Sequence, residues 1–367
     1  MPSTRSLRAS KPNAASGVFR VVVINLGILF VLVVVAELVF GHWLSGPQYG
    51  AMNLARNVDR YFDTANLYEG GNRIHYSLDE NGLRGTYSDP SKIHILTIGG
   101  STTKQLYIDD RETWQTRLQD LFAVAGQPAT VVNAAVDGQS TRGHIAVFDL
   151  WFPQIPNLRA QHVLAYVGIN DEALHDAQQY DSMEPGDALR RIRYWIANKS
   201  AVYHLYRTVR GMTTAYGMQL VHGQAPVKGM TWAKYMPVTD PVEPDGARKT
   251  DLESYRERLK VLAGRIRDFG AEPIFVTQPT AQFKIKDCWV CVPDLESGPS
   301  PAPFRTIAQF NQATMETCRE LGALCLDLAR EVEFTEEDFY DLVHNTPPGT
   351  RKIADYLFSK LKQGAGR

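Results

Sequence analysis

The stretch Ile93-His94-Ile95-Leu96-Thr97-Ile98-Gly99-Gly100-Ser101-Thr102-Thr103 decides how the rest of the chain is read. Its first six residues form a brief, largely β-branched apolar run, the pattern of a strand buried on both faces. Two glycines stop the run. A helical pattern then passes through Trp114, Leu118 and Leu121-Phe122, and Gly126 ends it. Thr130-Val131-Val132-Asn133, His162 to Val167, Pro273 to Thr277 and Ala323 to Leu328 repeat the theme, with helical pattern between most of them. Strands alternating with helices predict an α/β fold around a mostly parallel five-stranded sheet. Reactive groups in such sheets collect beyond the carboxyl ends of the strands. Gly99-Gly100-Ser101, Asp137-Gly138 and Gly168-Ile169-Asn170 all fall at or just after those ends.

Those segments, with Asp341-Leu342-Val343-His344 near the C-terminus, hold every group that acyl transfer needs. Ser101 follows two glycines, which allow a tight turn that stands its hydroxyl at a helix N-terminus. A serine hydroxyl is a weak nucleophile until a base is positioned beside it. His344 is the candidate base. Asp341, three residues earlier, would fix its tautomer and stabilise the imidazolium. The candidate oxyanion donors are the backbone N–H groups of Ser101 and Gly138 and the side-chain amide of Asn170. Each piece also has a plain local reading. Ser101 would serve as an ordinary N-cap, Gly138 as a turn glycine, Asn170 as a helix cap, and Asp341 with His344 as a surface pair in an acidic patch. A phosphate-binding loop fits poorly, because Lys104 comes too soon and the glycine spacing is wrong. The four pieces together, in this order, favour the chemical reading.

On these residues the chain resembles the SGNH/GDSL hydrolase superfamily, named for blocks carrying a serine, a glycine, an asparagine and a histidine. Gly99-Gly100-Ser101-Thr102-Thr103 is similar to the nucleophile block, Asp137-Gly138 to the glycine block and Gly168-Ile169-Asn170-Asp171 to the asparagine block. Asp341-Leu342-Val343-His344 is similar to the paired acid and base, and Asn81-Gly82-Leu83-Arg84-Gly85 to an approach segment of bacterial members. The resemblance covers roughly residues 75–362. It implies a three-layer α/β/α, flavodoxin-like fold and esterase or acyltransferase chemistry without metal or organic cofactor. Gly100 departs from the pattern, since many relatives carry Asp there. The insertion at about 172–250 has no counterpart in the common core, so no substrate class carries over.

The N-terminus gives the chain an address. Residues 1–20 carry Arg5, Arg8, Lys11 and Arg20 and no acid, and Val21 to Phe40 is broken only by Asn25, Gly27 and Glu37. Twenty helical residues span roughly 30 Å, the thickness of a hydrocarbon core. The basic flank should stay in the cytoplasm, which puts the body on the extracytoplasmic, periplasmic side of the inner membrane. Trp43 would suit the far interface. A signal peptide cleaved near Val34-Val35-Ala36 and a buried soluble helix are the other readings. The expected organisation is a basic segment 1–20, a transmembrane signal anchor 21–43, a loop-rich juxtamembrane segment 44–90 and a hydrolase domain 91–367. The insertion is expected to form a helical cap or flap beside the site, with aromatic residues that either pack it or line a sugar-binding wall.

With 39 basic and 40 acidic residues the net charge is -1, so no global field favours nucleic acid. No Cys/His array has zinc-ligand spacing. The four cysteines suit an oxidising compartment. Cys318 with Cys325 and Cys288 with Cys291 is one possible pairing among three, and the redox-motif reading of Cys288 to Cys291 is poor because no helix opens there. The expected protein is a membrane-anchored serine esterase acting on O-acyl esters, with acetylated envelope carbohydrate as the expected substrate. An O-acetyltransferase using the same residues, or a silent scaffold of an envelope polysaccharide complex, stands as the alternative. Oligomeric state is left open.

Overall fold

The structure is a computed structural model that describes residues 14–41, 43–44, 54–172, 192, 196, 199–203, 205–206, 208–210, 229–243 and 248–362. These residues fall into two units. One draws on 1–53 and 185–210, and the other, the larger unit, on 54–184 and 211–367. The first contains helix α1 (Ala14–Phe40), whose described side chains from Val18 to Phe40 are almost all exposed and apolar. Its stretch Gly17–Phe40 is long and apolar enough to cross a membrane.

The larger unit opens with a hairpin of β1 (Val58–Asp63) and β2 (Arg73–Leu78). The segment expected to be rich in loops thus also carries a hairpin. Ile74, Tyr76 and Leu78 alternate inward along β2, while β1 shows mostly polar residues to solvent and gives little periodic signal. Beyond it lies the sheet of β3 (Ile93–Gly99), β4 (Val131–Asn133), β5 (Ala160–Tyr166), β7 (Glu272–Val276) and β11 (Leu324–Leu326). Every pairing is parallel, and the order is β4-β3-β5-β7-β11. All five apolar runs are therefore strands of one doubly wound sheet.

Helices cover both faces. On one, α3 (Trp114–Val124) brings Trp114, Leu118 and Phe122 against Ile353, Leu357 and Leu361 of α9 (Pro347–Leu361), with Ile95, Leu164 and Ile274 of the sheet beneath. On the other lie α4 (Thr141–Leu150), α6 (Lys249–Asp268) and α7 (Ala302–Glu320), which bury Val147, Leu259, Leu262 and Phe310. The strand order reverses direction between β3 and β5. That switch point opens a crevice at the carboxyl edge of the sheet.

A second sheet joins β6 (Trp232–Pro237), β8 (Lys284–Lys286), β9 (Trp289–Leu295) and β10 (Gly298–Pro299) by antiparallel pairing. Most of the expected helical insertion lies outside the described residues, but its described part includes β6, a strand. The helix expected to run on from Ser101 is likewise interrupted: α2 (Ser101–Lys104) is one turn, closed by Gln105 at φ 56°. Cys318 and Cys325 are bonded, linking the end of α7 to β11, with Cα atoms 5.9 Å apart. Cys288 and Cys291 are free thiols, Cys288 in the turn of the β8–β9 hairpin and Cys291 on β9. Three extended residues cover roughly 10 Å, beyond the reach of a disulfide.

Candidate active site

The turn that carries Ser101 is held at both ends. Gly100 is the N-cap of α2 and Ser101 its first residue, so the Ser101 N–H belongs to the donors that a helix start leaves without intrahelical partners. The far end of α2 is clamped by Arg84, which is buried. Its guanidinium donates to the carbonyls of Lys104 at 2.7 Å, Gln105 at 2.8 Å and Ile108 at 2.6 Å, and to Asp110 Oδ1 at 2.7 Å. The Asn81–Gly85 segment thereby acts as a brace for the turn that carries Ser101.

Asn170 lies in α5 (Ile169–Glu172), directly beyond β5, and its Nδ2 donates to the Gln139 carbonyl at 2.8 Å. A Cβ placed on residue 100 would fall 2.1 Å from that same Nδ2. The amide therefore rests against the backbone one residue before Ser101. This explains the glycine at 100: any side chain there would displace the amide. Gly138 (φ 71°) occupies a turn closed by Gln139 N–H on the Val136 carbonyl at 3.2 Å. Val136 N–H donates to the Gly99 carbonyl at 3.1 Å, which fastens the turn beside the nucleophile strand. Lys104 Nζ and Asp137 Oδ2, 2.8 Å apart, tie it to α2 as well.

Asp171, the next residue after Asn170, is buried and works as scaffold. It accepts from Thr141 N–H at 3.0 Å and Thr141 Oγ1 at 2.6 Å and pairs with Arg258 Nη2 at 3.0 Å, joining α5, α4 and α6. Burial pushes its carboxyl above the ordinary range, despite the opposing pull of Arg258 and Thr141. Burial also pushes His144 down to about 3, so a neutral ring lies beside Gln139, with Nδ1 3.3 Å from its Oε1.

Asp341 and His344 come from the stretch between α8 (Leu328–Glu331), which follows β11, and α9. His344 Nε2 is 2.8 Å from Ser101 Oγ, and His344 Nδ1 is 2.6 Å from Asp341 Oδ2. The other Asp341 oxygen accepts the N–H groups of Val343 at 2.9 Å and His344 at 2.7 Å. Burial alone would raise the Asp341 carboxyl, but the bond and charge of His344 and the two backbone donors outweigh it and hold the group low. Tyr340 stacks on the imidazole with ring centroids 5.5 Å apart. The turn is pinned at three points: Tyr340 N–H to the His344 carbonyl at 3.0 Å, Thr346 N–H to the Asp338 carbonyl at 3.0 Å, and Ala281 N–H to the Leu342 carbonyl at 2.9 Å. Thr346 then caps α9, with Pro347 in its first turn.

Ser101, His344 and Asp341 thus form one hydrogen-bonded line, with the Asn170 amide and the Gly138 turn fixed next to its serine end. Sequence reading missed Gln278. This buried side chain follows β7, donates through Nε2 to Thr102 Oγ1 at 2.8 Å and accepts Ile169 N–H on Oε1 at 2.8 Å. It binds the serine turn to the asparagine turn, and Asn311 in turn grips its backbone on both sides. Its position at the carboxyl end of a strand was the available signal. Glu172 was missed too; burial drives its carboxyl up to about 7 against the pull of Arg248. Among the described residues no group of three or more His, Cys, Asp or Glu side chains is arranged to hold a metal.

Comparison with known proteins gives the family. Residues 97–352 match the GDSL-like Lipase/Acylhydrolase family. No curated protein is matched. Similar solved structures include TesA, at 14% identity and a TM-score of 0.42 over 74% of this chain and 98% of that one. The esterase EstA from Pseudoalteromonas sp. is 13% identical with a TM-score of 0.39, over 75% of this chain and 99% of that one. An acetyl-xylooligosaccharide esterase from Geobacillus is 15% identical with a TM-score of 0.40, over 75% and 97%. Likenesses of that degree say nothing about substrate. The family match spans both the serine block and the His344 turn, and the chain belongs to the GDSL-like lipase/acylhydrolase family of serine hydrolases.

Proposed function

We propose that this protein is a membrane-anchored extracytoplasmic esterase that cleaves O-acyl esters, O-acetyl groups on envelope carbohydrate foremost, through an acyl-enzyme on Ser101. The line Ser101 Oγ, His344 Nε2, His344 Nδ1 and Asp341 Oδ2, with links of 2.8 and 2.6 Å, carries this reading. In the first step Ser101 Oγ attacks the ester carbonyl carbon while its proton passes to His344 Nε2. Asp341, ionised at neutral pH, retains the Nδ1 proton in its hydrogen bond and steadies the imidazolium. The carbonyl oxygen takes up negative charge facing Ser101 N–H, Gly138 N–H and the Asn170 amide. Collapse of the tetrahedral adduct breaks the C–O bond, and the leaving alkoxide takes the proton from His344. Water then repeats the sequence on the acyl-enzyme, with His344 as base, and frees the acid and Ser101.

The address rests on two supports. Residues 17–40 have the length and apolarity of a membrane span behind a basic flank. The Cys318–Cys325 bond fits an oxidising compartment.

Labelling the purified protein with a serine-directed phosphonate and mapping the modified peptide tests the chemistry. Modification at Ser101, with hydrolysis of an aryl acetate that Ser101→Ala abolishes, is the expected outcome. Turnover in Ser101→Ala close to that of the parent protein would remove Ser101 from the mechanism.

A further inference from the structure

Within the unit that contains α1, a charged side chain in the apolar helix has a defined task. Glu37, one turn before the end of α1, directs its carboxylate onto the chain at Ser200. Oε1 accepts from Ser200 Oγ at 2.6 Å and Val202 N–H at 3.2 Å, and Oε2 from Ala201 N–H at 2.9 Å and Trp43 Nε1 at 2.8 Å. Residues 201–203 are helical, so Glu37 satisfies the open N–H groups of a helix start from another part of the chain. Gly41 completes the contact: a side chain there would begin 2.9 Å from the Lys199 carbonyl oxygen. A carboxylate at the edge of a membrane span is costly unless it is partnered, and these bonds supply the partners.

From that pin a stripe runs outward. Val202, Leu205, Tyr206 and Val209 stand at i, i+3, i+4 and i+7, the spacing of one helical face, and each is between 44% and 64% exposed. The stripe begins at the end of a helix whose own apolar side chains are uncovered along their length. That level, close to Trp43, is where hydrocarbon gives way to headgroups, and Tyr206 and Trp43 are residues suited to it.

We propose that the segment around Val202–Val209 is a second membrane contact, lying in the outer interface of the bilayer with this stripe in lipid and held to the span by Glu37. Lipid is the occupant because the stripe continues the apolar surface of α1 at the depth the pin imposes. On this proposal the span is retained, because a chain cut after Ala36 would keep Glu37 but lose the apolar helix that sets its depth. The inference rests on α1 crossing a membrane and is independent of the ester chemistry.

The test uses the full chain in a Cys288→Ser background, reconstituted into phosphatidylethanolamine/phosphatidylglycerol vesicles. A polarity-sensitive fluorophore is attached after Leu205→Cys or, separately, Ile28→Cys. At 205, lipids with a nitroxide high on the acyl chain should quench at least twofold more than lipids with a deep nitroxide, and aqueous iodide should quench little. At 28 the deep nitroxide should dominate. Glu37→Ala should at least halve lipid quenching at 205 and leave that at 28 unchanged. A label at 205 that is open to iodide and indifferent to nitroxide lipid, while 28 responds, overturns this inference alone. Cross-linking of Leu205→Cys between two copies with no lipid quenching would make a second copy the occupant and also overturn it. Failure at both positions overturns the membrane span itself, and a mature N-terminus beyond Ala36 overturns retention.

Discussion

Gly100 and the Asn170 amide occupy adjoining space, and the contact is too close for even one added carbon. Gly100→Ala should therefore push the amide off its position without unfolding the sheet. Loss of one oxyanion donor costs about 10²–10³-fold in turnover. The expected result is a fall of that order in kcat on an aryl acetate, with KM little changed and the thermal transition within a few degrees of the parent. An unchanged kcat would remove the amide from the oxyanion site. Glu172 gives a prediction in pH. Its carboxyl titrates near 7 in the folded protein but near about 4.3 when unfolded. Between those values the unfolded chain has released a proton that the folded one keeps, so stability declines as pH rises across the window. Glu172→Gln removes that slope. Its melting temperature should match the parent's near pH 4 and exceed it near pH 8; equal values at both would rule out the raised carboxyl.

At the scale of elements, the brace under α2 matters more than the short helix itself. A single turn is too brief to be stable alone, and the backbone carbonyls at its far end meet the Arg84 fork. Arg84→Ala leaves Asp110 and those carbonyls facing a void, so unfolding in urea should come earlier by about 3–5 kcal/mol. Arg84→Lys should rescue little, because an ammonium lacks the planar fork that reaches several carbonyls at once. Full stability in Arg84→Ala would contradict the brace. The Cys318–Cys325 bond closes a short loop between α7 and β11, away from Ser101 in the strand order. Reducing it should cost about 2–3 kcal/mol by the loop-entropy argument and leave kcat unaltered. A melting curve with and without reductant, paired with a rate assay, checks both halves.

For the whole molecule, the sheet was legible because its strands are buried on both faces, and burial leaves an uninterrupted apolar run in the sequence. The serine, asparagine and histidine blocks were legible because each sits where such a run ends or a capped helix begins. What escaped reading lacked either mark. The β1–β2 hairpin buries one face of a single strand, so its signal is three residues long: Ile74, Tyr76 and Leu78. The second sheet draws β6 and β9 from opposite sides of α6, and pairing across that distance leaves no local pattern. Gln278 is the exception, since it does follow such a run, but it acts through two bonds to residues 176 and 109 positions away, which no spacing rule anticipates.

The imidazole and the hydroxyl it meets lie 243 positions apart in the sequence. A polypeptide is made from its N-terminus, so Ser101 emerges early and waits for a base that arrives among the last residues of the domain. On the proposed mechanism the hydroxyl stays idle until then, and a product of premature termination before His344 should turn over no ester. The timing of synthesis would then itself act as an activation step: a nascent fragment would not attack esters before the domain that carries the site has been completed.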